Sequence, residues 1–419
     1  MNTIAKIFKV ADLRNKVLFV LGILVIYRIF AVVPIPGIDA QSLSNFFAQN
    51  QLLGLISVFT GGSLDQLSVV MLGLGPYITA SIIMQLLTII FPRLEEIYKH
   101  EGEAGKAKFT QWSRMLTVPL AILQGYSFMI LLSRQGVIAP LDLLGWVTAL
   151  SVATGGAVFL MWLGELITEK NIGNGISLMI FAGIIAGFPT SIRQALSTYT
   201  PDQLFTYAGF VIIALVVIAG VVYLTEAQRK IPINYARRVR GSKMYGGVST
   251  YLPMRVNNAG VMPIIFALSI LLFPGFIANF FSTSSITFVA SLATFISDIL
   301  ASSVIYSLLY FFLVVVFTYF YTAITFDPKS ISENIQKQGG YIPGIRPGRP
   351  TAEFINHLLN RITLVGAIFL GIIAVLPTVV QGFTGVTAFT VGGTSILIVV
   401  AVALEVVKQI KSQLAMYEY

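Results

Sequence analysis

Histidine, cysteine and carboxylate side chains are the usual agents of catalysis, and this sequence keeps them out of its apolar runs. Its two histidines, His100 and His357, fall in polar connecting segments, and cysteine is absent. No histidine- or thiolate-based metal site or proton relay is therefore expected within those runs. The closest approach to a phosphate loop is Gly102-Glu103-Ala104-Gly105-Lys106-Ala107. It lacks the glycine spacing, and the Ser/Thr after the lysine, that a magnesium nucleotide requires. No catalytic residue, metal, cofactor or nucleotide hydrolysis is expected. Glu165 and Glu405 lie near the ends of apolar runs, and no Asp or Glu falls at the middle of one. Buried ionisable groups mark ion and proton pathways, so a proton-coupled carrier is disfavoured, while a sodium site built from carbonyls stays open. Arg28 is the one clear charge inside an apolar run and is read as snorkelling to the nearer interface.

The remaining chemistry is cationic. Residues 225–259 contain QRKIPINYARRVRGSKMYGG, and residues 326–361 contain GGYIPGIRPGRPTAEFI. Proline pre-sets turn geometry and glycine permits positive φ, which predicts an ordered turn presenting Arg346. Two readings stay open at this point. The arginines serve topology alone, or they form a rigid basic surface that docks on an acidic partner or on RNA phosphates.

These loops hang between segments made for lipid. Of 419 residues, 56% are hydrophobic and 11% charged, well below the roughly 25% charged residues of soluble domains. Apolar runs long enough to cross a bilayer fall at about 17–33, 67–91, 111–133, 145–167, 175–196, 204–224, 260–281, 303–325, 362–380 and 392–411. No small-residue cleavage site follows the first, so it is expected to stay as a helix. The short stretch 286–300 is expected to lie on the outer surface. Lys and Arg crowd the first tail and the segments 92–110, 225–259 and 326–361, whereas only Arg134 and Arg193 fall in the alternate loops. Positive loops stay in the cytoplasm, so both ends are expected inside, and the net charge of +9 is explained by orientation rather than by nucleic acid. Ten spans divide into halves 1–196 and 197–419. Five helices in each give the halves opposite orientations, the arithmetic of an inverted repeat. Residues 52–60 (LLGLISVFT), followed by Gly61-Gly62, are too short to cross and read either as a re-entrant helix or as an amphipathic surface helix.

Several motifs occur in one order along the whole chain: YRIFAVVPIPGID (27–39), FTGGSLDQLSV (59–69), GPYITASIIMQLL (75–87), EKNIGNGISLMIFAGIIAG (169–187), INYARRVRG (233–241), NNAGVMPIIFALSILLFP (257–274), GGYIPGIRPGRPT (339–351) and GGTSILIVVAVALE (392–405). With them the chain resembles the SecY family, the pore-forming subunits of the bacterial protein translocon. The resemblance implies an all-α polytopic membrane protein: ten transmembrane helices in two inverted, pseudo-symmetric five-helix halves, a clamshell with a re-entrant plug. The plug would include Leu55, Ile56, Phe59, Thr60, Gly61 and Gly62. A lateral gate would lie between spans 2–3 and 7–8. The family's pore ring would fall on Ile78, Ile82, Ile180, Ile184, Ile265 and Ile398, although isoleucine in a membrane helix is ordinarily packing or lipid contact. Arg237, Arg238, Lys243, Arg346 and Arg349 would dock partners.

The function implied is a gated passive channel in the bacterial plasma membrane. It would conduct unfolded secretory polypeptides and release hydrophobic segments sideways into lipid. Expected partners are SecE-like and SecG-like small membrane subunits, the SecA motor, the ribosome, signal peptides and membrane lipid. A solute transporter on inverted repeats is the rival reading, disfavoured by the missing mid-membrane carboxylates. A flippase or scaffold without a conduit would leave the ordered basic loops unexplained.

Overall fold

The computed structural model describes residues 9–35, 67–134, 136, 138, 142–197, 204–235, 238–240, 243–245, 249–281, 287–384 and 388–417. In the first half the helices are α1 (Ala11–Val32), α2 (Gly75–Ile90), α3 (Pro92–His100), α4 (Gly102–Arg134), α5 (Leu143–Glu169) and α6 (Gly175–Ser197). In the second they are α7 (Leu204–Glu226), α8 (Met262–Phe281), α9 (Thr287–Ala301), α10 (Ser303–Thr325), α11 (Pro328–Lys337), α12 (Arg349–Thr384) and α13 (Ala388–Tyr417). Between α7 and α8 run strands β1 (Gln228–Tyr235), β2 (Arg238–Arg240), β3 (Lys243–Tyr245) and β4 (Ser249–Arg255), and β5 (Gly340–Tyr341) follows α11. All ten expected spans carry a helix. Six of these helices are individually long and apolar enough to cross a bilayer, and α2 with α3 makes a further pair bent by 115°.

The second span departs from the straight run 67–91. Residues 67–74 fold as turns, and the helix begins only at Gly75. Leu67 and Gly73 take positive φ (41° and 55°), which no helix propagates. Pro76 then restarts the helix at a first-turn position, where its missing N–H costs nothing. The turn is pinned to the end of α1, for Ile35 N donates to Leu67 O at 3.0 Å and Val69 N to Val33 O at 2.9 Å. It also lies hard against α5. A Cβ on Gly156 would stand 2.0 Å from Val69 O, so only glycine lets backbone meet backbone there, as small residues do at helix contacts in lipid.

The helices pack in a pattern that occurs twice. In the first half α1 lies on α5 and α6, α2 on α4, α4 on α5, and α5 on α6. In the second, α7 lies on α12 and α13, α8 on α10, α10 on α12, and α12 on α13. In both, the first spanning helix touches the fourth and fifth, and the rest follow one another in order. Two five-helix units of one design, joined after an odd number of crossings, are inverted relative to each other. The units meet along two seams, α8 against α2 and α4, and α13 against α6. Helix α9 is too short to cross. It packs on α8 and α10 and exposes Phe288, Leu292 and Phe295, spaced i, i+4, i+7 on one face.

The helices are as the apolar runs imply; the basic loops hold more than a turn. Strand β1 pairs antiparallel with β4 from Gln228↔Arg255 to Asn234↔Ser249, and β5 adds to its far edge through Asn234↔Tyr341. Ile231 and Ile233, two residues apart on the inward face, are buried with Met254, Ile335, Ile342, Ile355 and Leu359. The two basic segments are thus one domain with its own apolar core, seated on the ends of the second half's helices.

Candidate functional site

Four helices, two from each half, bring the six isoleucines into one continuous buried cluster. On α2, Ile78 and Ile82 are one turn apart and share a face, as do Ile180 and Ile184 on α6. Ile265 enters from α8 and Ile398 from α13. None is more than 5% exposed. The neighbours that complete the cluster include Tyr27 of α1, Leu74 from the turn before α2, Leu160 of α5 and Met179 of α6. A crevice between Tyr27, Gly73, Leu74, Leu160, Met179 and Ile180 is too tight for a water molecule. At these positions side chains from the two halves are buried against one another. A narrow apolar ring, where one lines a pore, can resist ions by dewetting without any charged group.

The seam formed by α8 with α2 and α4 is apolar where it passes these isoleucines, with Leu268 and Leu271 buried in the same cluster as Ile265, Ile78 and Ile82. Helix α4 is tied to its own half by Arg114, whose Nη2 lies 2.7 Å from Glu165 Oε2, the carboxylate being only 15% exposed. Arg114 stands in the first turn of the run 111–133, at its edge. A lone arginine and a lone glutamate in successive spans were the sequence signal for this pair.

The residues expected to dock partners fall into two groups. Arg346 is exposed on a turn whose shape is set by Gly344 (φ 81°) and Gly348 (φ 94°). Thr351 Oγ1 donates to Arg346 O at 2.8 Å, and Ser332 Oγ donates to Gly348 O at 2.7 Å, so two hydroxyls lock the turn to α11 and α12. Arg349 is exposed but shares its charge with Glu353 at 2.9 Å. Arg238 and Lys243 sit on the small β2–β3 hairpin, in which Arg240 pairs with Lys243. Arg237 and the six positions expected to form a plug, Leu55, Ile56, Phe59, Thr60, Gly61 and Gly62, lie outside the described residues. Among the described residues no group of histidine and carboxylate side chains could hold a metal ion.

A family model described as SecY matches residues 68–407. The protein translocase subunit SecY of Streptomyces coelicolor is 44% identical over 438 aligned residues, which cover 100% of this chain and 99% of that protein. The chain belongs to the SecY family. Among solved structures, a protein-conducting channel has a similar fold, with a TM-score of 0.64 at 19% identity, over 94% of this chain and 91% of that one. Sec61 in the canine ribosome-channel complex from the endoplasmic reticulum gives 0.62 at 19% identity, over 95% and 92%. The SecY fold places the closed isoleucine cluster where the two five-helix units of this family member meet.

Proposed function

We propose that this SecY-family chain is the pore subunit of a protein translocase in the bacterial plasma membrane, a gated passive channel for unfolded polypeptides. The observation that carries the reading is the convergence of six isoleucines from both halves on one buried apolar cluster. Branched aliphatic side chains can part around a passing chain without offering it a specific bond, and they reseal by the hydrophobic effect. The halves are taken as 1–196 and 197–419, with residues 52–62 as the plug that backs the seal. The lateral gate that releases apolar segments to lipid is taken to lie between spans 2–3 and 7–8, α2 and α4 on one side and α8 and α10 on the other. The energy comes from outside the chain, since nothing in the sequence provides for nucleotide hydrolysis.

The basic domain is assigned to docking of the SecA motor and the ribosome, with Arg237, Arg238, Lys243, Arg346 and Arg349 as its contacts. Sec61 in the canine complex is bound to a ribosome, and a rigid, positively charged surface suits RNA phosphates. SecE-like and SecG-like subunits, signal peptides and lipid complete the partners.

A stalled secretory precursor should crosslink to photoreactive residues substituted at Ile82 and at Ile265, and not at the lipid-exposed Leu215. The purified complex should carry a small single-span subunit with it. Adducts at Leu215 equal to those at the ring positions would refute a central conduit.

Orientation follows from the basic loops, and both ends are assigned to the cytoplasm. The chain has no cysteine, so single replacements report sidedness cleanly. Lys106→Cys and Lys329→Cys should react with an impermeant maleimide only in inverted vesicles, and Asn45→Cys only in right-side-out ones. The opposite pattern would invert the topology.

A further inference from the structure

The two seams between the halves differ in kind. Where α8 meets α2 and α4, the cluster is closed by the apolar side chains Ile78, Ile82, Ile265, Leu268 and Leu271, which can make no directional side-chain bond. On the other side α13 continues past the membrane and reaches into the first half. Gln413, buried, donates from Nε2 to Asn171 O at 2.5 Å. Asn171 lies in the α5–α6 turn, in a left-handed conformation (φ 57°) that turns its backbone out of the helix. The same turn meets α13 again at Gly173, where a Cβ would be 3.4 Å from Val406. One turn beyond Gln413, the Tyr417 hydroxyl donates to Asp12 Oδ2 on α1, a carboxylate also held by Lys16 at 2.7 Å. Within its own half α13 is anchored by Lys408, which lies 2.9 Å from Glu226 and 3.3 Å from Thr225 O, both at the end of α7.

From this asymmetry we infer that the segment 411–417 is a clasp, with Gln413 and Tyr417 as positioning residues that hold the halves together at the α13 edge and so set the resting closure of the ring. Directional bonds fix one edge of the junction, and the apolar edge is left to part. The inference rests on the channel reading above. Its new content is that the last two turns of α13 control how tightly the far seam closes.

The test uses the assembled complex in planar bilayers. The double variant Gln413→Met, Tyr417→Phe keeps size and apolar packing and removes both donors. Two lost hydrogen bonds should raise the resting open population, and with it the ion conductance, roughly tenfold. In a second variant, Asp12→Cys with Tyr417→Cys, conductance should rise likewise and return to the parent level when a short bifunctional maleimide joins the two positions. A merely structural role would lower thermal stability without moving conductance, or would give a leak that the crosslinker does not reverse. Either result overturns the clasp, as does parent-level conductance in the double variant. Translocation of a secretory precursor by the parent in the same bilayers separates the two claims. If the parent fails to translocate, the channel reading falls and the clasp with it; if it translocates and the variants do not leak, the clasp alone falls.

Discussion

Replacing Ile82 and Ile265 together with asparagine should raise the resting conductance of the reconstituted channel at least about tenfold, because polar side chains in an apolar constriction stabilise water there. The same change should ease passage of precursors with weak signal sequences, since the closed state loses apolar packing and the barrier to opening falls. Both residues are fully buried, on α2 and α8, at the seam between halves. Leu215→Asn is the matched control, because Leu215 is 61% exposed on α7. An asparagine there faces lipid, and its cost appears in insertion or folding rather than in conductance. Near-zero current in the double variant, with normal assembly, would remove the ring assignment and leave the family membership untouched.

Arg346→Glu should cut partner-driven translocation between about tenfold and a hundredfold, the range set by one charge-assisted hydrogen bond of ~1.5–3 kcal/mol. Membrane insertion and subunit assembly should be unchanged, since the side chain is exposed and the turn is held through its backbone. Arg349→Ala should do much less, because that guanidinium is already engaged by Glu353. Translocation assays at two ionic strengths check both. Equal effects of the two changes would mean that general positive charge on the domain matters and the presented turn does not. Normal translocation by Arg346→Glu would reduce the arginine to a topology signal.

The helices were legible because a bilayer makes one demand, a long apolar run, and because lysine and arginine mark one side. The second span shows the limit of that signal. Residues 67–74 are as apolar as the helix after them, yet Leu67 and Gly73 turn the backbone out of the helical region. A bulky leucine at positive φ cannot be foreseen from composition, because tertiary contacts with α1 and α5 select it. The isoleucine positions came from family resemblance alone, as nothing local separates Ile82 from a lipid-facing Ile89. Only packing does, since Ile82 is buried and Ile89 is exposed. In the basic segments only a turn was legible; β1, with Ile231 and Ile233 on its buried face, pairs with β4 and β5 at distances that periodicity does not reach. The Gln413–Asn171 contact joins residues from opposite halves, and no spacing rule connects them.

The pairing of Asn234 with Tyr341 spans 107 residues of chain, and α8, α9 and α10 lie wholly inside that interval. Loop closure must be met before such a contact returns any free energy, so β5 can join the sheet only after the intervening helices have settled. A single failed crossing, of α8 or of α10 alone, would leave the two strands on opposite sides of the membrane and keep β5 from joining. Completion of this small sheet is therefore sensitive to membrane integration: the basic domain cannot be completed on a chain in which one of these two helices has failed to cross.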